Sequence, residues 1–339
     1  MNLHLLTFVF ALIVGCLMCV IVLAIYLIVR LLVYMFRGRR VSVNPFWYVC
    51  LVCVLVSWVV IGYGYWVGRF EVSVRATEYK DARLPVGFDS YKIVHISDLH
   101  LSTYADRPSG LQAIVDSINA QSADLICVTG DVVSLGAEEA YPFAEILRGM
   151  VARDGVLSVL GNHDLMIYRD MSISERNEEV ARLVGFERDS LGWTVLRDSS
   201  RVLVRSRVLA SGEELRDSLT FVGVDNCSCE GQGFRSVYHG DLSSALCGTG
   251  GYRLLLTHDP THWRAEVCGQ RDIGLTLSGH THSGQCCIFG YPLARLLFEE
   301  SAGWYYFGSQ GLYVTSGVGC TLPVRVNCPS EITVITLRR

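Results

Sequence analysis

Five short stretches of this 339-residue chain carry side chains that can do chemistry together: Asp98-Leu-His100, Gly130-Asp131, Gly161-Asn162-His163-Asp164, His258, and Gly279-His280-Thr281-His282. They hold five of the nine histidines. Carboxylate, imidazole and amide oxygen are donors suited to Mn, Zn or Fe, and no cysteine joins the set. The i, i+2 spacing of Asp98 with His100, and of His280 with His282, puts both side chains on one side of an extended backbone, from which a turn can swing them around a metal position. Gly130, Gly161 and Gly279 each immediately precede one of these residues, where a missing Cβ lets backbone and ion approach closely. The last two histidines are expected to serve two neighbouring ions.

Ligands scattered from Asp98 to His282 need a frame that gathers them. From about Leu84 to Arg339 short apolar runs alternate with helical stretches, the pattern of strands packed with helices in one domain. Tyr91 to Ile96 closes on SDLH, Leu125 to Val128 on TGD, Val156 to Leu160 on GNHD, Tyr252 to Leu256 on THD, and Ile273 to Leu277 on SGHTH. Ligands of open sheets collect outside the carboxyl ends of strands, so the five polar termini are predicted to share one cleft. Ser109 with Gln112 and Ser172 with Glu175 read as capping boxes, and Asp259-Pro260 as an N-cap with a first-turn proline. Ser97 and Thr129 are expected to fix turns through side-chain to backbone bonds. His95 is expected in the core and His262 on a helix surface. Ser283, Gly284 and Gln285 extend the last stretch toward the pocket. Residues 288–307, rich in Leu, Phe, Trp and Tyr, read either as packing or as a lipid-facing or acyl-binding wall.

The N-terminal part is of another kind. Leu5 to Val29 and Phe46 to Val67 contain no charged side chain, and at about 1.5 Å per helical residue each crosses a hydrocarbon core of roughly 30 Å. The first run lacks the basic n-region and short apolar core of a secretory signal and is expected to be retained. Trp47 and Tyr48, then Tyr63, Tyr65 and Trp66, fit interfacial belts, and Asn44-Pro45 a helix start. The expected organisation is a first transmembrane helix over 1–36, a basic loop over 37–45, a second transmembrane helix over 46–68, a linker and domain entry over 69–90, and the catalytic domain over 91–339. Arg30, Arg37, Arg39 and Arg40 precede the second run, and Arg69, Arg75, Lys80 and Arg83 follow it, a balance that assigns no sidedness.

A formal net charge of −4 argues against a nucleic-acid partner bound by phosphate neutralisation. The cysteines beyond the apolar runs are odd in number and include the adjacent Cys286-Cys287. Cys227-Ser-Cys229 is too closely spaced for the usual zinc pattern, so these residues are read as small apolar side chains of a reducing compartment.

The order DxH, GD, GNH[DE], H, GHxH, standing here as Asp98-Leu-His100, Gly130-Asp131, Gly161-Asn162-His163-Asp164, His258 and Gly279-His280-Thr281-His282, resembles the calcineurin-like metallophosphoesterase family. The flanking SDLHLS, LSGHTHSGQ and VRVNCPSEITVITL resemble its membrane-associated bacterial branch. The resemblance implies an α/β fold, a metallophosphoesterase-type β-sandwich flanked by helices, here preceded by two transmembrane helices in a bacterial inner membrane. It implies two divalent metal ions (Mn, Fe or Zn), with Asp98, His100 and His282 on the first, Asn162, His258 and His280 on the second, and Asp131 bridging. A shared hydroxide would then attack phosphorus. His163 would protonate the leaving group and Asp164 would orient its ring. The implied partners are a phosphorylated or lipid-linked small-molecule substrate and membrane lipid. Some relatives act as a UDP-2,3-diacylglucosamine pyrophosphohydrolase of lipid A synthesis, but the soluble ones carry Arg where His163 stands. A few members are noncatalytic scaffolds, and those have lost ligands that are present here.

Overall fold

The computed structural model describes residues 3–38, 42, 44–208, 214–229 and 240–339, so Arg39 and Arg40 of the basic loop lie outside it. The described chain forms two compact units, Met1–Arg69 with Leu322–Val326, and Phe70–Thr321 with Asn327–Arg339.

The first unit is built on α1 (Leu3–Arg37) and α2 (Asn44–Trp66), apolar on all sides. Only 11% of the most apolar window of either helix is buried, which separates them from core helices and matches segments whose surface is solvated by lipid. They meet through a T-shaped Phe8–Trp58 pair and through Gly15 against Val54. Of the aromatic residues expected in interfacial belts, Tyr65 is instead buried, its ring under the Arg69 guanidinium. A Cβ on Gly68 would collide with the Arg325 carbonyl, so glycine there lets residues 322–326 lie against the end of α2.

In the second unit two six-stranded sheets face each other. One has the order β1 (Val72–Lys80), β14 (Ser330–Arg338), β2 (Lys92–Ile96), β3 (Leu125–Thr129), β4 (Val156–Val159) and β5 (Thr194–Val195). The other runs β12 (Gly303–Phe307), β13 (Gln310–Val314), β9 (Leu275–Ser278), β8 (Tyr252–Leu256), β7 (Glu214–Gly223) and β6 (Ser199–Val208). A small hairpin, β10 (Cys287–Ile288) with β11 (Tyr291–Pro292), stands apart. The central strands β2, β3 and β4 are mutually parallel, as are β7, β8, β9 and β13, so their carboxyl ends lie along one edge.

Alternation sets the layers. Ile93, Leu125, Cys127 and Leu157 point inward against Phe221, Leu254, Leu256 and Leu277 of the opposite sheet. Val94, Ile126 and Val128 point outward and are covered by Leu111, Ile114, Val115 and Ile118 of α3 (Pro108–Asn119), by Leu147 of α4 (Ala144–Arg148) and by Val180 and Leu183 of α5 (Ile173–Gly185). Leu255, Leu312 and Val314 on the far face of the second sheet meet Trp263, Val267 and Leu242. Strands buried on both faces read as continuous apolar runs, which is why the sequence located them within a residue or two. At about 25 cal/mol per Å², each fully buried Leu or Ile contributes roughly 1.5–3 kcal/mol.

The structure departs from expectation at three elements. The segment 69–90, read as linker and domain entry, contains β1, a nine-residue edge strand paired in parallel with β14. Ser109 does not cap α3, because Pro108 occupies its first turn and starts the helix two residues earlier, with no side-chain cap at Arg107. His262 is fully buried, its Nδ1 3.0 Å from the Thr257 hydroxyl, not on a helix surface. The Ser172–Glu175 capping box forms as read, each side chain accepting from the other's backbone N–H.

Candidate active site

Each of the five central strands ends by delivering its polar residues into one cleft. Asp98 and His100 follow β2, Asp131 follows β3, and Asn162 and His163 follow β4. From the second sheet, His258 follows β8, while His280 and His282 follow β9. The ligating atoms of Asp98, His100 and His282 lie within 4.8 Å of one another, and so do those of Asp131, His258 and His280. Asp131 links the two groups: its Oδ2 is 3.1 Å from His258 Nε2 and 3.6 Å from His100 Nε2. Asn162 Oδ1 joins the second group 2.9 Å from His280 Nδ1, itself 3.2 Å from His258 Nε2.

Local backbone geometry produces this convergence. Asp98, His100, Asp131, His280 and His282 all adopt positive φ, between 39° and 71°. Each such residue costs of order 1–3 kcal/mol and persists only where its surroundings over-determine it. Here the amides of the turns are tied down: Asp98 N–H donates to Gly130 O (2.8 Å), His100 N–H to Asp131 O (3.0 Å), and His280 N–H to the Asp98 carboxylate (3.0 Å). The glycines allow the close approach. A Cβ on Gly161 would collide with Asp131 Oδ1, and one on Gly279 with the Asp98 carboxylate. Gly161→Ala is therefore expected to displace Asp131 and lower kcat about a hundredfold with the fold intact, read by steady-state kinetics beside a thermal unfolding curve.

Electrostatics favour a cation in this cradle. Burial pushes the Asp98 carboxyl up to about 6, helped by repulsion from Asp131. Burial also disfavours charge on Asp131, yet His258, His163 and His100 hold it well below the usual carboxylate range. Burial would likewise depress His258, but Asp131 and Asp98 raise it to about 10. Two buried carboxylates thus demand positive charge between them. The Nδ1 of His258 lies 2.7 Å from Thr129 O, which fixes one proton there and leaves Nε2 as the nitrogen that faces the cluster and would exchange its proton for a cation. Oxygen and imidazole donors so arranged fit divalent cations.

His163 stands beside both groups, one ring nitrogen within 4.8 Å of the donor atoms of His100 and Asp131. Its backbone N–H donates to Asp131 Oδ1 (2.9 Å), its Nδ1 lies 2.8 Å from Ser134 O, and its ring is 4.5 Å from that of Tyr168. The role expected of Asp164 is not what the structure shows. Asp164 does not touch the imidazole; its two carboxylate oxygens accept the backbone N–H groups of Asp131 (2.6 Å), Val133 (3.1 Å) and Gly161 (3.0 Å). Three amide donors in the surrounding turns compete for that carboxylate, and Ser134 O takes the place beside His163. Asp164→Ala would strand three buried donors and is expected to cost on the order of 3 kcal/mol or more, about 6 °C or more in the thermal midpoint. A normal midpoint with only a shifted pH–rate profile would instead return Asp164 to His163.

Sequence reasoning missed several supports. Ser134 bonds two site histidines, through its hydroxyl to His100 Nδ1 (3.1 Å) and its carbonyl to His163. Glu139 holds that loop by accepting from Ser134 and Leu135 N–H (both 2.8 Å). Tyr168 takes a hydrogen bond from Asn162 Nδ2 (3.0 Å), and Asp259 Oδ2 lies 3.6 Å from His280 Nε2. Asp259 had a signal in its neighbour His258; Tyr168 had none. Ser97 acts as read, its Oγ donating to Thr129 O (3.0 Å), whereas the Thr129 hydroxyl meets a side chain, the His95 ring, and not a backbone group. His95 is a core residue, its Nε2 2.8 Å from the Thr129 hydroxyl, with burial driving its pKa down to about 3.

A β-sandwich with carboxylate, imidazole and amide donors at strand ends defines a metal-dependent hydrolase of phosphoesters. The calcineurin-like phosphoesterase family model matches residues 91–284, and the chain belongs to that family. It is 32% identical over 294 residues to the uncharacterized metallophosphoesterase YkuE of Bacillus subtilis, covering 82% of this chain and 90% of that one. It is 28% identical over 281 residues to the phosphodiesterase YaeI of Escherichia coli, 80% and 89% covered. A transmembrane protein with metallophosphoesterase domain from Danio rerio is 32% identical over 266 residues, 76% of this chain but 55% of that protein.

Proposed function

We propose that this chain is a membrane-anchored, dinuclear phosphoesterase that hydrolyses a phosphodiester, phosphomonoester or pyrophosphate in a lipid-linked substrate. The observation that carries the reading is the pair of donor groups sharing Asp131. Asp98, His100 and His282 would hold one ion and Asn162, His258 and His280 the other, with Asp131 shared by the two groups. Two bound divalent ions supply Lewis acidity toward the phosphoryl oxygens and a water made nucleophilic at neutral pH.

The chain's own residues do the rest. Asp131 partly neutralises the two cationic centres, so that they can sit close together. Ser134 and Thr129 fix the tautomers of His163 and His258 through their carbonyls. With Nδ1 so occupied, Nε2 of His163 is the nitrogen that exchanges a proton with the departing oxygen.

Anchoring is supported by α1 and α2, both long and apolar enough to cross a membrane. Two spans confine the enzyme to a surface, which favours a substrate confined there too. The sharper member of that class is UDP-2,3-diacylglucosamine, whose pyrophosphate joins a nucleotide to a diacylated sugar. The full chain in mixed micelles is expected to hydrolyse it with kcat/KM at least about a hundredfold above that for bis-p-nitrophenyl phosphate, since binding of remote substrate parts is spent at the reacting centre. Equal values for both would remove this alternative, the UDP-linked diacylated sugar, and leave other phosphoesters as the substrate. The intact donor set gives no support to a noncatalytic scaffold.

A further inference from the structure

The loop that carries His280 and His282 continues into a segment that a water-soluble surface does not explain. Within residues 288–297 six large apolar side chains are exposed, Phe289 by 97% and Leu296 by 82%, together with Ile288, Tyr291, Leu293 and Leu297. Single exposed apolar residues need no explanation, but a contiguous group does. Residues 286–298 contain no acidic side chain and one basic one, Arg295, whose guanidinium stands 5.6 Å from the Tyr291 ring.

The backbone adds an independent observation. Ile288 pairs with Tyr291, so Phe289 and Gly290 form a two-residue hairpin loop, and both have positive φ (49° and 82°). That geometry selects Asn-Gly or Asp-Gly, because a side chain such as Phe is strained in the left-handed region. The hairpin tip thus carries a residue that is both wrong for the turn and almost wholly exposed. Neither the fold nor water favours it.

We propose that this hairpin and the turn after it, residues 288–297, dock into the lipid surface and set the mouth of the active site at the membrane interface. The inference rests on the membrane-anchored reading above. With α2 in a bilayer, only five residues of chain, 67–71, separate that helix from the first strand of the domain. Tyr and Arg are the side chains that settle at headgroup level beside inserted Phe and Leu, and a segment without carboxylates meets anionic lipid without repulsion.

The hairpin is fixed to the catalytic loop and does not merely hang near it. Leu293 N–H donates to Cys286 O (3.0 Å). A Cβ on Gly284 would collide with Ala294 and Leu293, and Phe298 packs edge-on against the His280 ring at 5.6 Å. A docked hairpin would therefore hold His280 and His282 at a set distance from the lipid.

The test places the photo-crosslinking residue p-benzoylphenylalanine at position 289 or 296 of the full chain, reconstituted in nanodiscs of phosphatidylethanolamine and phosphatidylglycerol. Val59 in α2 serves as a bilayer control, and Ile173, an exposed residue at the start of α5, as a domain control. Lipid adducts at 289 and 296 at tenfold or more the yield at 173 are expected. Adducts at 59 but none above the 173 level at 289 and 296 would overturn the docking proposal and leave anchoring intact. No adduct at 59 would overturn the anchoring reading, and the proposal with it. Crosslinked dimers through 289 or 296 in place of lipid adducts would assign the face to a second copy and also overturn it. Phe289→Asn, which suits the turn, is expected to leave bis-p-nitrophenyl phosphate turnover within twofold and the thermal midpoint unlowered; a lowered midpoint would assign Phe289 to the fold.

Discussion

Replacing Asp131 by Asn is expected to lower turnover of bis-p-nitrophenyl phosphate by about a thousandfold or more, because a Lewis-acid clamp contributes several kcal/mol and each ~1.4 kcal/mol is a tenfold change in rate. Asn keeps the shape of the side chain and an oxygen for the His163 N–H, which donates to Asp131 Oδ1 at 2.9 Å. What it removes is the negative charge between His100 Nε2 and His258 Nε2, at 3.6 and 3.1 Å. Without that charge two cations held by mostly neutral donors repel, and bound metal should fall below two ions per chain. Elemental analysis beside steady-state kinetics reads both effects. Turnover within tenfold of the unsubstituted protein would show that the shared position does not matter.

His163→Ala separates a proton donor from a ligand. The loss in kcat is expected to be about a hundredfold to ten-thousandfold for an alkyl or phenyl phosphoester, whose leaving oxygen needs a proton. For a p-nitrophenyl ester, whose leaving group departs as an anion, it should be under about tenfold. Bound metal should not change. Equal losses on both substrates, accompanied by lost metal, would make His163 a ligand, a reading its closeness to His100 and Asp131 keeps open to test.

The sandwich and the convergence of the metal donors were legible in the sequence for a physical reason. Central strands buried on both faces have to be apolar throughout, so the point where polarity returns marks the strand end and the residue delivered there. Glycine just before Asp131, Asn162 and His280 marked the close approach in three of the five motifs. Edge elements give a weaker signal: the polar and apolar alternation of Val72 to Thr77 is a strand pattern, but it is short, breaks at Glu78, and the partner strand β14 lies at the other end of the sequence. Asp164 was misread because adjacency to His163 says nothing about which of several nearby donors its carboxylate meets. The backbone amides of Asp131, Val133 and Gly161 are invisible until the turns are built. Ser134 and Tyr168 were hidden for the same reason, since their roles come from loop geometry and not from residue type.

The most direct measurement of the two-ion site is a titration of metal-stripped full chain with Mn, recording bound ions per chain and bis-p-nitrophenyl phosphate turnover at each step. The account predicts saturation at two ions, with turnover rising as the second is filled and negligible before it. Full turnover in the stripped protein, or at a single bound ion, would contradict it.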